Sequence, residues 1–146
     1  MAKLIWGLPM TKPYRYIDHT ADLGIEVWGT GLEELFANIG RAIFETQIRG
    51  KVRAEKERSI DLQSDSLDEL FIDWCRELLY YFSIHGFIPR EYRISIKDTS
   101  LHGDLRGDSF DPNRHQVKLE IKNPTYHNFS IEKKGNEYSA RIILDV

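Results

Sequence analysis

A single cysteine, Cys75, stands in this 146-residue chain. It has no partner within the chain, which excludes an intramolecular disulfide and any cysteine-built zinc cluster. It falls inside an apolar pattern of helical period, which marks it as a small buried hydrophobe. No segment approaches the roughly 18–20 apolar residues of a membrane span. Positive charge is not in excess either, since 20 Lys and Arg face 23 Asp and Glu for a formal net charge of −3. Direct RNA binding, which draws on clustered Lys and Arg, is therefore expected to be weak or absent. There is no glycine-rich phosphate loop, no Gly-x-Ser-x-Gly turn and no His-x₃-His pair. No strong enzyme signature is present.

What remains is a chain built to fold. Hydrophobic residues make up 41% and charged residues 29%, enough for one domain with a real core. Residues 1–13 read as an N-terminal extension, too short and interrupted for a signal peptide, and 14–146 as the domain. A cytoplasmic protein is expected. Tyr16 to Asp18 and Leu23 to Trp28 read as short strands around a His-Thr-Ala-Asp link. Thr30 with Glu33, and Ser66 with Glu69, are capping-box patterns that open two helices. The first carries a stripe of Leu32, Leu35, Phe36, Ile39 and Ile43. The second runs to about Phe82 on Leu67, Leu70, Phe71, Trp74 and Leu78, and is expected to be the more deeply buried.

Beyond Phe87 the apolar period becomes two. Tyr92 to Ile96 and Gln116 to Ile121 alternate strictly, and Leu101 to Arg106 is short and weak. Tyr126 to Glu132 and Tyr138 to Leu144 form a hairpin through Lys133-Lys134-Gly135-Asn136. Gly103 to Asp108 and Asp111-Pro112-Asn113 carry loop signals. The sum is an α+β domain, with two amphipathic helices packed on a mixed, mostly antiparallel β-sheet.

Three constellations bear chemistry. Asp18, His19 and Asp22 abut one apolar strand, and Asp145 with Val146 closes another. If those strands lie side by side, the carboxylates converge, and converging carboxylates repel unless a cation such as Ca²⁺ or Mg²⁺ neutralises them. The plainer alternative is a solvated strand-end Asp145 and an Asp22 that closes a turn. Lys122 and His127 flank a Pro-Thr-Tyr run and could hold an anion, or could be ordinary strand residues. Gly107 to His115 spaces its acids like a calcium loop but lacks the acid at the twelfth position, so a polar turn is expected.

With these residues the chain resembles the archease family. The matching pieces are Tyr16-Ile17-Asp18-His19-Thr20-Ala21-Asp22-Leu23-Gly24-Ile25 with Trp28-Gly29, and Leu32-Glu33-Glu34-Leu35-Phe36. Gly107-Asp108 with Asp111 and His115, Lys122 with Thr125-Tyr126-His127, and the closing Asp145 complete the set. The resemblance implies a non-enzymatic adaptor that activates an RtcB-type tRNA-splicing RNA ligase. Such an adaptor promotes the ligase's guanylylation, permits multiple turnover and broadens nucleotide use. It further implies a divalent cation, calcium in the family, on Asp22, Asp145 and Val146, with Lys122 functional. His19 and His127 are candidate partner-facing residues. A chaperone role towards a tRNA methyltransferase is the family's second implied function. From the residues alone, a metal-dependent phosphoester enzyme with His19 as acid–base stays open. Asn123-Pro124 departs from the family pattern, as does the segment before Tyr14.

Overall fold

The computed structural model describes residues 12–17 and 22–146. In chain order its elements are β1 (Tyr14–Ile17), β2 (Leu23–Gly29), α1 (Leu32–Gln47), β3 (Ile48–Arg49), β4 (Lys56–Gln63) and α2 (Leu67–His85). They continue as β5 (Phe87–Lys97), β6 (Ser100–Ser109), β7 (Gln116–Val117), β8 (Asn123–Lys134) and β9 (Glu137–Asp145). The strands pair antiparallel throughout. They form three sheets of order β1-β2-β9-β8, β3-β7 and β4-β6-β5. Among the described residues, no helix is long and apolar enough to cross a membrane.

The helices confirm the apolar stripes and revise the caps. At α2, Ser66 Oγ accepts the Glu69 amide at 3.1 Å, as the capping pattern requires. At α1 the Thr30–Glu33 box does not form. Gly31 is the cap residue and offers no side chain. Glu34 reaches back instead, accepting from Thr30 N at 2.8 Å and Thr30 Oγ1 at 3.1 Å. Helix α2 continues past Phe82 to His85, where Gly86 takes the left-handed conformation that ends it.

Burial also reverses the expected order. Most of α1 is buried but fewer than half of the residues of α2 are, because α1 packs against both β2 and β5 and so lies between two sheets. Phe36 of α1 meets Phe71 of α2 edge to face at 5.1 Å, and Trp74 Nε1 donates to the Phe36 carbonyl at 2.9 Å. Each side chain of this size contributes about 1.5–3 kcal/mol when fully buried.

Two strands differ from the sequence reading for physical reasons. Gly103 and Gly107 lie inside β6, the central strand of its sheet, and not in a loop. A Cβ at Gly103 would come within 3.4 Å of the Trp74 ring. At Gly107 it would collide with the Ile88 carbonyl, beside the bulge between Pro89 and Glu91. These glycines admit a close neighbour. Conversely, Gln116 to Ile121 alternates but pairs only over Gln116–Val117. Its remainder is stitched to the end of α1, where Lys118 N donates to Gln47 O at 2.7 Å and Ile121 N to Gln47 Oε1 at 2.9 Å.

Among the described residues, packing leaves two buried side-chain polar atoms without a partner, Gln47 Nε2 on α1 and the Tyr92 hydroxyl beside that helix. Burial drives the Tyr92 phenol well above the usual range. Tyr92→Phe removes that stranded group and keeps the ring, over which Arg41 sits at 5.5 Å. The substitution is expected to be neutral or to stabilise by about 1 kcal/mol, read as an unchanged or slightly raised melting temperature. A clear fall would mean that the hydroxyl has a partner.

Candidate functional site

Strands β2 and β9, from nearly opposite ends of the chain, are neighbours at the centre of the four-stranded sheet. Their ladder starts at Leu23↔Leu144. Continuing that register by one position sets Asp22 opposite Asp145. Directly opposed residues on an antiparallel pair project to the same face, and like charges so placed repel. Asp145 is exposed and Asp22 and Val146 are half-buried, so this end of the sheet is accessible.

The other flank of β9 brings Lys122 to the same end. Asn123 pairs with Asp145, and Lys122 N donates to the Asp145 carbonyl at 2.7 Å. The Asn123-Pro124 departure is accommodated because β8 is an edge strand, where a missing N–H costs no ladder bond. Thr125 Oγ1 donates to Ile143 O at 2.9 Å, fixing the start of β8 against β9. His127 is exposed in the irregular stretch between Thr125 and Ser130, where the register shifts and Asn128 takes φ 53°. It thus lies within β8, whereas Lys122 directly precedes that strand. Asp18 and His19 lie outside the described residues.

The donor set suits a hard cation. Two carboxylates and the main-chain oxygens of Val146 offer oxygen only, the chemistry of Ca²⁺ and Mg²⁺ and not of zinc. Among the described residues, no three His, Cys, Asp or Glu side chains cluster in metal-binding geometry. Lys122 also lines a cleft of about 600 Å³ with Gln47, Arg76, Tyr80 and Phe110. The alternation of residues around Asn123 could not reveal this cleft, since its walls come from four elements.

The Gly107–His115 segment, read as a polar turn, holds a buried ionic network. Asp108 is 3% exposed. It accepts from Arg114 Nη1 at 2.9 Å and Nη2 at 3.2 Å, from Arg53 N at 2.9 Å and from Ser109 N at 2.8 Å. The Arg114 guanidinium foremost, with the two amides, holds the Asp108 carboxyl far below the ordinary carboxylate range against the opposing effect of burial. This set is satisfied from within the protein, so it builds the fold.

A family model described as the Archease protein family (MTH1598/TM1083) matches residues 14–146. The chain belongs to the archease family. Protein archease of Sulfurisphaera tokodaii is 32% identical over 138 residues, covering 92% of this chain and 99% of that protein. The solution structure of Methanobacterium thermoautotrophicum protein 1598 is 31% identical, with a TM-score of 0.78, and covers 93% of this chain and all of that one. A Thermotoga maritima archease crystal structure, described as a possible chaperone, shares the fold at a TM-score of 0.63 with 24% identity, covering 95% of this chain and 99% of its own. In the α+β scaffold the chain shares with them, Asp145 ends β9 and Asp22 directly precedes β2, the strand paired with it.

Proposed function

We propose that this archease is a non-enzymatic adaptor that activates an RtcB-type tRNA-splicing RNA ligase. In this reading it promotes the ligase's guanylylation, sustains multiple turnover and broadens nucleoside triphosphate use. The observation that supports it is the pairing of β2 with β9 from Leu23↔Leu144, with Asp22 and Asp145 the next residues beyond that pair, in a chain of this family. Asp22, Asp145 and the main-chain oxygens of Val146 hold a divalent cation, with calcium the preferred ion. When bound, that cation supplies concentrated positive charge and open coordination positions for oxygen. Lys122 offers an ammonium beside it for an anionic group of the partner, and His19 and His127 face the partner.

The test is ligation of broken RNA in excess over a purified RtcB-type ligase, with and without the chain. Product is expected to pass many equivalents of ligase only when the chain is present. Equal yields would set the reading aside. A few residues appended after Val146 move its carboxyl group and are expected to weaken stimulation severalfold in the same assay. Undiminished stimulation would remove Val146 from the donor set.

A second reading is a chaperone for a tRNA methyltransferase, favoured by the description of the Thermotoga maritima relative. Protection of the methyltransferase from aggregation, without any effect on ligation, would select it.

A further inference from the structure

The connection between β3 and β4 is anchored more firmly than a surface loop requires. His115 is 4% exposed. Its Nδ1 accepts the Asp111 amide at 3.0 Å, so the proton sits on Nε2 and is donated to the Lys51 carbonyl at 2.9 Å. Two residues on, the Arg53 amide is held by Asp108. Between β3 and these anchors, Gly50 has φ 118°, a conformation side chains rarely adopt, and a Cβ there would run into the Arg114 carbonyl. The buried network thus has an output, the placement of Lys51.

Lys51 stands on the rim of a cleft of about 380 Å³, together with Arg41 of α1 and Arg90 of β5. Phe44 and Ile88 contribute apolar wall. All three cations are exposed, and none has a salt bridge among the described residues. Arg41 is nevertheless positioned, donating to Asn38 Oδ1 at 2.6 Å and lying over the Tyr92 ring. The single acid on the cleft, Glu45, is engaged by the Tyr14 hydroxyl at 2.6 Å. Several other arginines are matched to acids, as Arg15 to Glu26 and Arg106 to Glu57. The net charge of −3 conceals this local excess.

We propose that the cleft binds the phosphate group of a phosphate-bearing ligand through Arg41, Lys51 and Arg90. Three cations against the one carboxylate of Glu45 leave the cleft with a net positive charge, which a tetrahedral dianion can offset while accepting from more than one of them. Guanidinium forks match its oxygens in pairs. A carboxylate, planar and singly charged, satisfies only one fork. The cleft is near the small end of small-ligand sites, room for a phosphate with part of its carrier. It shares no lining residue with the Asp22 and Asp145 edge, so it can be tested on the chain alone.

Inorganic phosphate titrated into the ¹⁵N-labelled chain is expected to shift the amides of Gly50 to Val52 and the side-chain signals of Arg41 and Arg90. The Lys51→Gln/Arg90→Gln double variant, altered only at exposed positions, is expected to lose these shifts. Lys134→Gln, at the far hairpin, keeps them. A short single-stranded RNA is the second probe. If the phosphate comes from a strand, RNA binds at least about tenfold more tightly than phosphate, and the double variant lowers its salt slope by about 1.4. If it comes from a free or nucleotide phosphate, RNA gains nothing over the ion. The proposal is overturned by shifts that bypass the cleft, by shifts that persist in a folded double variant, or by tighter binding of oligoglutamate than of either probe.

Discussion

Asp145→Ala is expected to bring stimulation of the ligase down to the level of ligase alone, without loss of the fold, and Asp22→Ala to do the same. Asp145 is exposed at the last position of β9, where surface substitutions change stability by about 0.5 kcal/mol or less. Removing one of two opposed like charges also relieves repulsion. The functional cost is of another order. A hard cation held by so few protein oxygens loses a large share of its neutralising charge with either carboxylate. The Asn variants separate charge from size, and should fail as the Ala variants do. Near-parental multiple turnover in both Asp22→Ala and Asp145→Ala would discard the site.

Asp108→Asn carries the largest expected effect on stability. The carboxylate is almost fully buried and takes four hydrogen bonds. Breaking a buried pair strands the opposite charge and costs about 3 kcal/mol, the low end of the usual range because Arg114 retains access to solvent. For a chain of this size that is a fall of about 6–12 °C in melting temperature. The pH dependence has a definite sign. The folded-state carboxyl titrates below its unfolded value of about 3.9, so the ionised form stabilises above that pH. This contribution is lost as pH falls below about 4 towards the folded value. Parent and variant should therefore differ most near neutrality and converge in acid. A gap that stays constant down to pH 2 would show that the cost comes from packing alone. The same variant should loosen Lys51 and weaken phosphate binding, through the Arg53 amide.

Much of this architecture was legible in the sequence because it rests on local pattern. The stripe from Leu35 to Ile43, the Ser66–Glu69 cap and the hairpin around Gly135 need only periodicity and turn chemistry. The failures share one cause. Thr30 to Glu33 has the composition of a capping box, but Glu34 extends to the same orphan donor, and side-chain reach cannot be read from spacing. Gly103 and Gly107 signal a loop until Trp74 and the Ile88 carbonyl occupy the space their missing side chains leave. Gln116 to Ile121 has the strand alternation but no partner strand beyond Val117, so Gln47 takes up its amides.

The candidate site divides in the same way. Acidic residues beside apolar strands could be read near both chain ends, but not the pairing of β2 with β9 from Leu23↔Leu144, since register is tertiary. The cleft at Lys51 left no trace in the sequence, because its cations come from α1, the β3–β4 connection and β5.

Titration of the ¹⁵N-labelled chain with Mn²⁺, a paramagnetic stand-in for calcium, asks most directly whether two distant chain segments form one cation pocket. Line broadening is expected to centre on Leu23, Leu144 and Asn123 together, and to vanish in Asp145→Asn. Broadening confined to one of those strands, or centred elsewhere on the molecule, would contradict the account.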